Sequence, residues 1–202
     1  MIIYGASGHA KVIIDCLKAR EQSVNAIFDD NPEVKKILDL DVRHDYSADL
    51  FPGEELIIAI GNNRIRRNLA DKISRSNPPP AFLSDPSTII SKNVNIGHGT
   101  VVLHNAVIQS STSVGKYVIV NTGATVDHDC ILGDFVHIAP NATLCGIVSV
   151  GEGTLVGAGA VIIPTIKIGK WCVIGAGSVI IEDVPDYSLV VGNPGKIIKK
   201  LS

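Results

Sequence analysis

The sequence predicts a chain in two parts, a small Rossmann-like α/β unit followed by a parallel β-helix of six-residue repeats. Three observations predict it. Ile, Val or Leu stands at every sixth position from Ile90 to Ile180, sixteen times without a miss. Gly follows five of these aliphatics, at Gly97, Gly115, Gly133, Gly151 and Gly169, at intervals of eighteen. Ahead of that stretch, an apolar run, a glycine turn and an amphipathic run follow one another from Ile2 to Leu17, the order of strand, turn and helix.

The repeat comes first because it organises the chain. A helix would place apolar residues every three to four positions and a half-buried strand every two, so neither gives a period of six. Three short strands closing one coil do: each unit is a flat side plus a corner, and its aliphatic points inward. The residue two before the aliphatic is small or β-branched in most units, as at Thr100, Ala106, Thr112, Ala124, Cys130, Ala142, Thr154, Ala160, Cys172 and Ser178. That suits the tight inner side of a corner. Stacked at roughly 4.8 Å, the coils predict a column about 25 Å tall.

In the amino-terminal third, Ile2-Ile3-Tyr4 reads as a strand, Gly5-Ala6-Ser7-Gly8-His9 as a turn, and Val12, Ile13, Cys16 and Leu17 as one face of a helix. Such a turn leaves N–H groups unpaired at a helix start, where phosphate is favoured. Val24 to Phe28 reads as a second strand ending in Asp29-Asp30, and Leu56 to Ile60 as a third ending in Gly61-Asn62-Asn63, followed by a basic helical stretch from Arg64 to Ser74. The strand ends thus bring the glycine turn, the two acids and Gly61 to one edge, where open α/β sheets bind ligands. The unit is short for a dinucleotide, so a mononucleotide or nucleotide-sugar is expected. Asn77-Pro78-Pro79-Pro80 ends the last helix, which divides the chain into residues 1–80, nucleotide-sugar-binding, and residues 81–202, the β-helix with a carboxyl-terminal cap.

Composition closes off other classes. The net charge of -2 and the lack of a basic run give no support to nucleic-acid or membrane-surface binding. No basic leader or long apolar run is present, so a cytoplasmic protein is expected. The four cysteines form no CxxC pair and read as reduced small hydrophobes, and no His/Cys/Asp spacing resembles a closed zinc site, so no metal is expected. After Ile180 the phase is lost at Glu182-Asp183-Val184-Pro185-Asp186; Tyr187 to Val191 reads as extended, and the tail through Lys196, Lys199 and Lys200 as the end cap.

Position within the repeat sorts the histidines. His128, two after Val126 in Asp127-His128-Asp129-Cys130, points outward with acids on both sides, a setting for a general base. His137 lies on another side of the prism, so a shared cleft requires three prisms around a threefold axis. His98 and His104 read as surface residues.

Four segments together carry a resemblance: Gly5-Ala6-Ser7-Gly8-His9-Ala10-Lys11, Ala59-Ile60-Gly61-Asn62-Asn63, Asn121 through Cys130, and Val190-Val191-Gly192-Asn193-Pro194-Gly195-Lys196. The chain resembles the bacterial nucleotide-amino-sugar N-acetyltransferases, hexapeptide-repeat acyltransferases of glycan synthesis. The sialic acid O-acetyltransferases share their architecture. The resemblance implies a left-handed β-helix, a hand that the usual right-handed crossover would not have suggested, and a homotrimer with active sites between subunits. It implies acetyl-CoA as co-substrate and a UDP-4-amino-4,6-dideoxyhexose as acceptor. It further implies His128 as general base, Asp129 as the acid that raises its basicity, and His137, Ala158 and Ala176 as acetyl-CoA contacts. Ser7, Gly8 and His9 match the diphosphate region, Asp29 and Asp30 the pyrimidine and ribose region, and Gly61 a backbone contact. Asp129 stands where Glu is frequent, which leaves its reach to the imidazole open. The alternatives are O-acetylation of sialic acid or another sugar, and a nucleotide-sugar-binding scaffold trimer without catalysis.

Overall fold

The computed structural model describes residues 1–73 and 77–201; Ser74, the last residue of the expected basic helix, lies outside them. Strand β1 (Ile2–Tyr4) leads through the glycine turn into helix α1 (Gly8–Ala19), then β2 (Ala26–Phe28). A hairpin of β3 (Lys36–Ile37) and β4 (Leu40–Asp41) follows, then β5 (Leu56–Ile58) and helix α2 (Asn63–Ile73). The sheet order is β2-β1-β5, all parallel. Gly5 is required where β1 ends: its φ is +110°, and a Cβ there would sit 2.8 Å from the Ala59 carbonyl oxygen, a position only glycine fills without strain.

From Ile89 to Ile180 the chain is a parallel β-helix of strands two residues long, three at Thr100–Val102. The first face stacks six strands, with Ile90, Ile108, Val126, Leu144, Ile162 and Ile180 in one register eighteen residues apart. The second face stacks five. The third stacks eight, because β6 (Phe82–Ser84) pairs below the first coil and Ser188–Val191 pairs above the last, with Lys196–Lys200 added antiparallel. The tail therefore caps the column by extending one face of it. Fourteen of the sixteen periodic aliphatics are buried; only Ile90 and Ile96, at the open lower end, are partly exposed. Each buried one contributes about 1.5–3 kcal/mol of transfer free energy.

The corners have a constant backbone. The residue three after the aliphatic adopts the left-handed conformation at Gly99, Asn105, Ser111, Tyr117, Gly123, Asp129, Phe135, Asn141, Ile147, Gly153, Gly159, Thr165, Trp171 and Gly177. The small inward position does more than fit. Thr112 Oγ1 donates to the Asp127 carbonyl at 2.7 Å and accepts from Cys130 N–H at 3.1 Å, and Thr100 and Thr154 repeat the pattern. Buried hydroxyls thereby satisfy backbone groups that the corner leaves unpaired.

The amino-terminal sheet is buried on both sides, and both sides close against the prism. Ile3, Ile13 and Leu17 pack with Leu83, Val101, Leu103 and Ile119, while Ile2, Tyr4, Phe28 and Ala70 pack with Tyr117 and Phe135. Arg66 locks the joint. Read from sequence as part of a basic helix, it is only 1% exposed, and it donates to the carbonyls of Ile60, Gly61, Tyr117 and Phe135 and to Asn63 Oδ1. Burial pushes its pKa down to about 9, so it stays charged at neutral pH.

Candidate active site

The corners between the first and second faces carry Asp127-His128-Asp129. Asp129 takes the left-handed corner position with φ 58°, a conformation Asp and Asn tolerate best among non-glycine residues. That bend turns its carboxylate back on its neighbour, and Asp129 Oδ2 lies 2.7 Å from His128 Nδ1. The shorter acid reaches the ring. The Asp127 side chain accepts from His128 N–H at 2.8 Å and fixes the same turn. With Nδ1 held by Asp129, the proton sits there and Nε2 is the free, basic nitrogen. The hydrogen bond to Asp129 holds the His128 pKa above its ordinary value, the charges of Asp127 and Asp129 adding to it and desolvation opposing.

One coil above, Gly146 makes room for the ring. A Cβ on Gly146 would stand 2.6 Å from His128 Cε1 and 2.7 Å from Nε2, so the imidazole lies directly over this glycine. Among the described residues no group accepts from the Gly146 N–H. The eighteen-residue interval from His128 to Gly146, one coil, is the sequence signal for this contact. Cys130 lies below the surface, its thiol donating to the Cys145 carbonyl at 3.3 Å and pushed up in pKa by burial, a poor nucleophile.

His137 sits elsewhere, on the third face at the edge of the amino-terminal unit. Its Nε2 lies 3.1 Å from Asn121 Nδ2, which can only donate, and its Nδ1 lies 3.3 Å from the Gly61 carbonyl, which can only accept. These partners define a neutral ring with the proton on Nδ1. His9 approaches from the amino-terminal side, with ring centroids 6.5 Å apart. Desolvation, then the nearby Arg66 charge, push the His9 pKa down to about 4 and that of His137 to about 3. Both rings are neutral at pH 7. His9 Nε2 is buried without a hydrogen-bond partner among the described residues.

The remaining predicted positions fall at the carboxyl edge of the sheet and along one corner. Ser7 and Gly8 are exposed at the start of α1, where Ser7 provides no side-chain cap. Asp29 is less free than a solvated loop acid: its two oxygens accept from Ala6 N–H at 2.7 Å and Asn31 N–H at 2.9 Å, so it braces the glycine turn. Asp30 accepts from Tyr4 Oη at 2.5 Å. Ala158 and Ala176 are exposed on the corner between the third and first faces, one coil apart, with Gly177 N–H donating to the Ala158 carbonyl. The structure thus joins His9, Gly61 and His137 within one chain, while no hydrogen bond among the described residues links His128 to His137. His104 is not a bare surface residue, since its Nε2 lies 3.2 Å from the buried Asp85 carboxylate.

Comparison with known proteins places this arrangement. The PglD N-terminal domain model matches residues 1–73, and the bacterial transferase hexapeptide model, of six repeats, matches residues 147–182. Among solved structures, PerB from Caulobacter crescentus in complex with CoA and GDP-perosamine is 37% identical, with a TM-score of 0.92 over 98% of this chain and 96% of that one. The chain belongs to the nucleotide-amino-sugar N-acetyltransferases, acetyl-CoA-dependent acyltransferases with a hexapeptide-repeat β-helix. The acetyltransferase domain of PglB from Neisseria gonorrhoeae, in complex with acetyl coenzyme A, is 34% identical with a TM-score of 0.88, covering 98% of both chains. UDP-N-acetylbacillosamine N-acetyltransferase of Bacillus subtilis is 38% identical over 114 residues, a match spanning half of this chain and half of that protein. The sugar N-acetyltransferase fold here presents no group of three or more His, Cys, Asp or Glu among the described residues that could hold a metal, and no described helix is long and apolar enough to cross a membrane.

Proposed function

We propose that this protein transfers acetyl from acetyl-CoA to the amine of a nucleotide-linked amino sugar, a UDP-linked 4-amino-4,6-dideoxyhexose, with His128 as general base. The observation that carries the proposal is the 2.7 Å contact between His128 Nδ1 and Asp129, which leaves Nε2 outward and basic. The amine attacks the thioester carbonyl, forming the C–N bond as its proton passes to His128 Nε2. Asp129 stabilises the imidazolium so formed. The carbonyl oxygen takes up charge, for which the Gly146 N–H, unpaired among the described residues, is the candidate donor. Collapse breaks the C–S bond, and the imidazolium proton leaves with the coenzyme thiol.

The nucleotide-sugar is assigned to the carboxyl edge of β1, β2 and β5. Ser7, Gly8 and the orphan Nε2 of His9 offer donors to a diphosphate, and Asp29, Asp30 and Gly61 lie alongside. The coenzyme is assigned to the exposed backbone at Ala158 and Ala176, with His137 between the two substrates. Ile131 and Ile147, 58% and 54% exposed, flank the His128 corner. Apolar surface beside a base favours a second copy packing there, consistent with a homotrimer whose sites lie between subunits.

The test is free-thiol release from acetyl-CoA with UDP-, GDP- and dTDP-linked 4-amino sugars, free sialic acid and no acceptor. Release with one amino-sugar nucleotide alone, lost in His128→Ala with coenzyme binding kept, is the expected result. Release with sialic acid instead would make the protein an O-acetyltransferase. Nucleotide-sugar binding without release would leave a scaffold.

A further inference from the structure

The corner that carries His128 changes character at the histidine. Successive coils stack there in register, with Asp127 N–H donating to the Leu144 carbonyl and Cys145 N–H to that of Ile162. Below the base the corner reads Ser91-Lys92-Asn93 and Gln109-Ser110-Ser111, and above it Cys145-Gly146-Ile147 and Ile163-Pro164-Thr165. Polar side chains give way to mainly apolar ones, and no acid or cation returns to the corner until Glu182 on the top coil.

Ile147 is the residue on which this pattern turns. It follows Gly146, its N–H donates to the His128 carbonyl at 2.9 Å, and its φ of 65° is the left-handed conformation that suits a β-branched side chain least. Among the described left-handed corners it is the one aliphatic residue. The large side chains at that position elsewhere, Tyr117, Phe135 and Trp171, are buried, at most 9% exposed, whereas Ile147 is 54% exposed. Packing within the chain therefore does not account for it. Cys145 and Ile163 beside it are partly exposed as well. Backbone strain and bare apolar surface, kept together beside a base, point to an apolar occupant.

We propose that Cys145, Ile147 and Ile163 form a shelf for the donor's acyl chain, so that the protein transfers propionyl and butyryl groups from their coenzyme A thioesters as well as acetyl. This rests on the reaction described above, in which the donor carbonyl sits between His128 Nε2 and Gly146. Whatever that carbonyl carries then lies on this corner. The pantetheine arm is assigned to the Ala158 corner, which leaves the shelf to the hydrocarbon end. Adjacent coils are roughly 4.8 Å apart, so a chain leaving Gly146 toward Pro164 crosses one coil, the reach of a butyryl group. Each methylene buried there tightens binding by up to about fourfold. The step keeps its balance: the amine forms the C–N bond to the butyryl carbonyl, His128 Nε2 takes the amine proton, and the C–S bond breaks as that proton passes to the coenzyme thiol.

Two measurements test the shelf, one of them without turnover. Calorimetric titration of the full-length protein with CoA, acetyl-CoA, propionyl-CoA and butyryl-CoA should show affinity rising with chain length, butyryl-CoA binding at least about fourfold tighter than acetyl-CoA. Ile147→Asn places at the corner a residue that tolerates its φ, so the fold is kept and the advantage of the longer chain should vanish. Mass spectrometry of products formed with the amino-sugar nucleotide that accepts acetyl should show propionyl and butyryl amides. The ratio of kcat/KM for butyryl-CoA to that for acetyl-CoA should fall at least about fourfold in Ile147→Asn. Loss of both donors in equal proportion would mark Ile147 as structural only and overturn the inference. So would affinities that do not rise with chain length, or acetyl transfer with no longer product. Absence of transfer from every donor, with the chain-length advantage present and lost in the variant, would instead overturn the function proposed above and leave the shelf as an acyl-binding site.

Discussion

Asp129 reaches back to His128 Nδ1 at 2.7 Å because it occupies the left-handed position that the corners from Gly99 to Gly177 supply. A structural requirement of the coil and the orientation of an imidazole are met by one residue. The coil needs a side chain that tolerates positive φ, and the ring needs a short acid at that place.

Replacing Asp129 by Asn keeps the corner, since Asn tolerates the same φ, and removes the charge. Asp129 raises the His128 pKa through the hydrogen bond. A base must be unprotonated to act, so a raised pKa sets the acid limb of activity higher. In Asp129→Asn the limb of the kcat/KM profile should move to lower pH, while the plateau falls by about 10- to 100-fold. A profile that keeps its midpoint would remove Asp129 from the pair.

Gly146→Ala tests whether ring placement matters for turnover. Gly146 does not use the left-handed region, so alanine costs the backbone nothing, yet its Cβ would displace the imidazole. We expect kcat to fall by about 100-fold with KM for acetyl-CoA and Tm nearly unchanged. Unaltered kcat would mean that His128 acts from another rotamer.

His9 and His137 give the joint between the two parts a pH dependence. Their folded pKa values lie near 4 and 3, below the ordinary 6.5, so the unfolded chain takes up protons first as pH falls. Their stabilising contribution is complete above about 6.5 and is lost progressively below it, down to the folded values. Tm should drop between pH 7 and pH 5, and the double variant H9Q/H137Q should flatten that slope. An equal slope in both proteins would place the acid sensitivity elsewhere.

Arg66→Met leaves the Ile60, Tyr117 and Phe135 carbonyls without their Arg66 donor in a buried joint, while the Gly61 carbonyl keeps His137 Nδ1. The expected loss is about 3–5 kcal/mol, read from denaturant unfolding, with hydrogen exchange in β1 and β5 accelerated before that of the prism core. Exchange that rises equally across the chain would show that the two parts unfold as one.

The sequence by itself determined the β-helix, since one aliphatic every six residues leaves a three-sided coil as the arrangement that buries them all. It also determined that His128 points outward with an acid on each side, because position within the coil decides direction. It did not reveal the burial of Arg66: helical spacing marks a face only when its residues are apolar, and a cation buried by carbonyls has no such signature. Nor did it show that Asp29 braces the glycine turn, that Gly146 underlies the imidazole, or that His9 meets His137. Those contacts join residues from 18 to 128 positions apart in the chain, and only the pairing of β1 with β2, the stacking of successive coils and the docking of the sheet onto the prism bring them together.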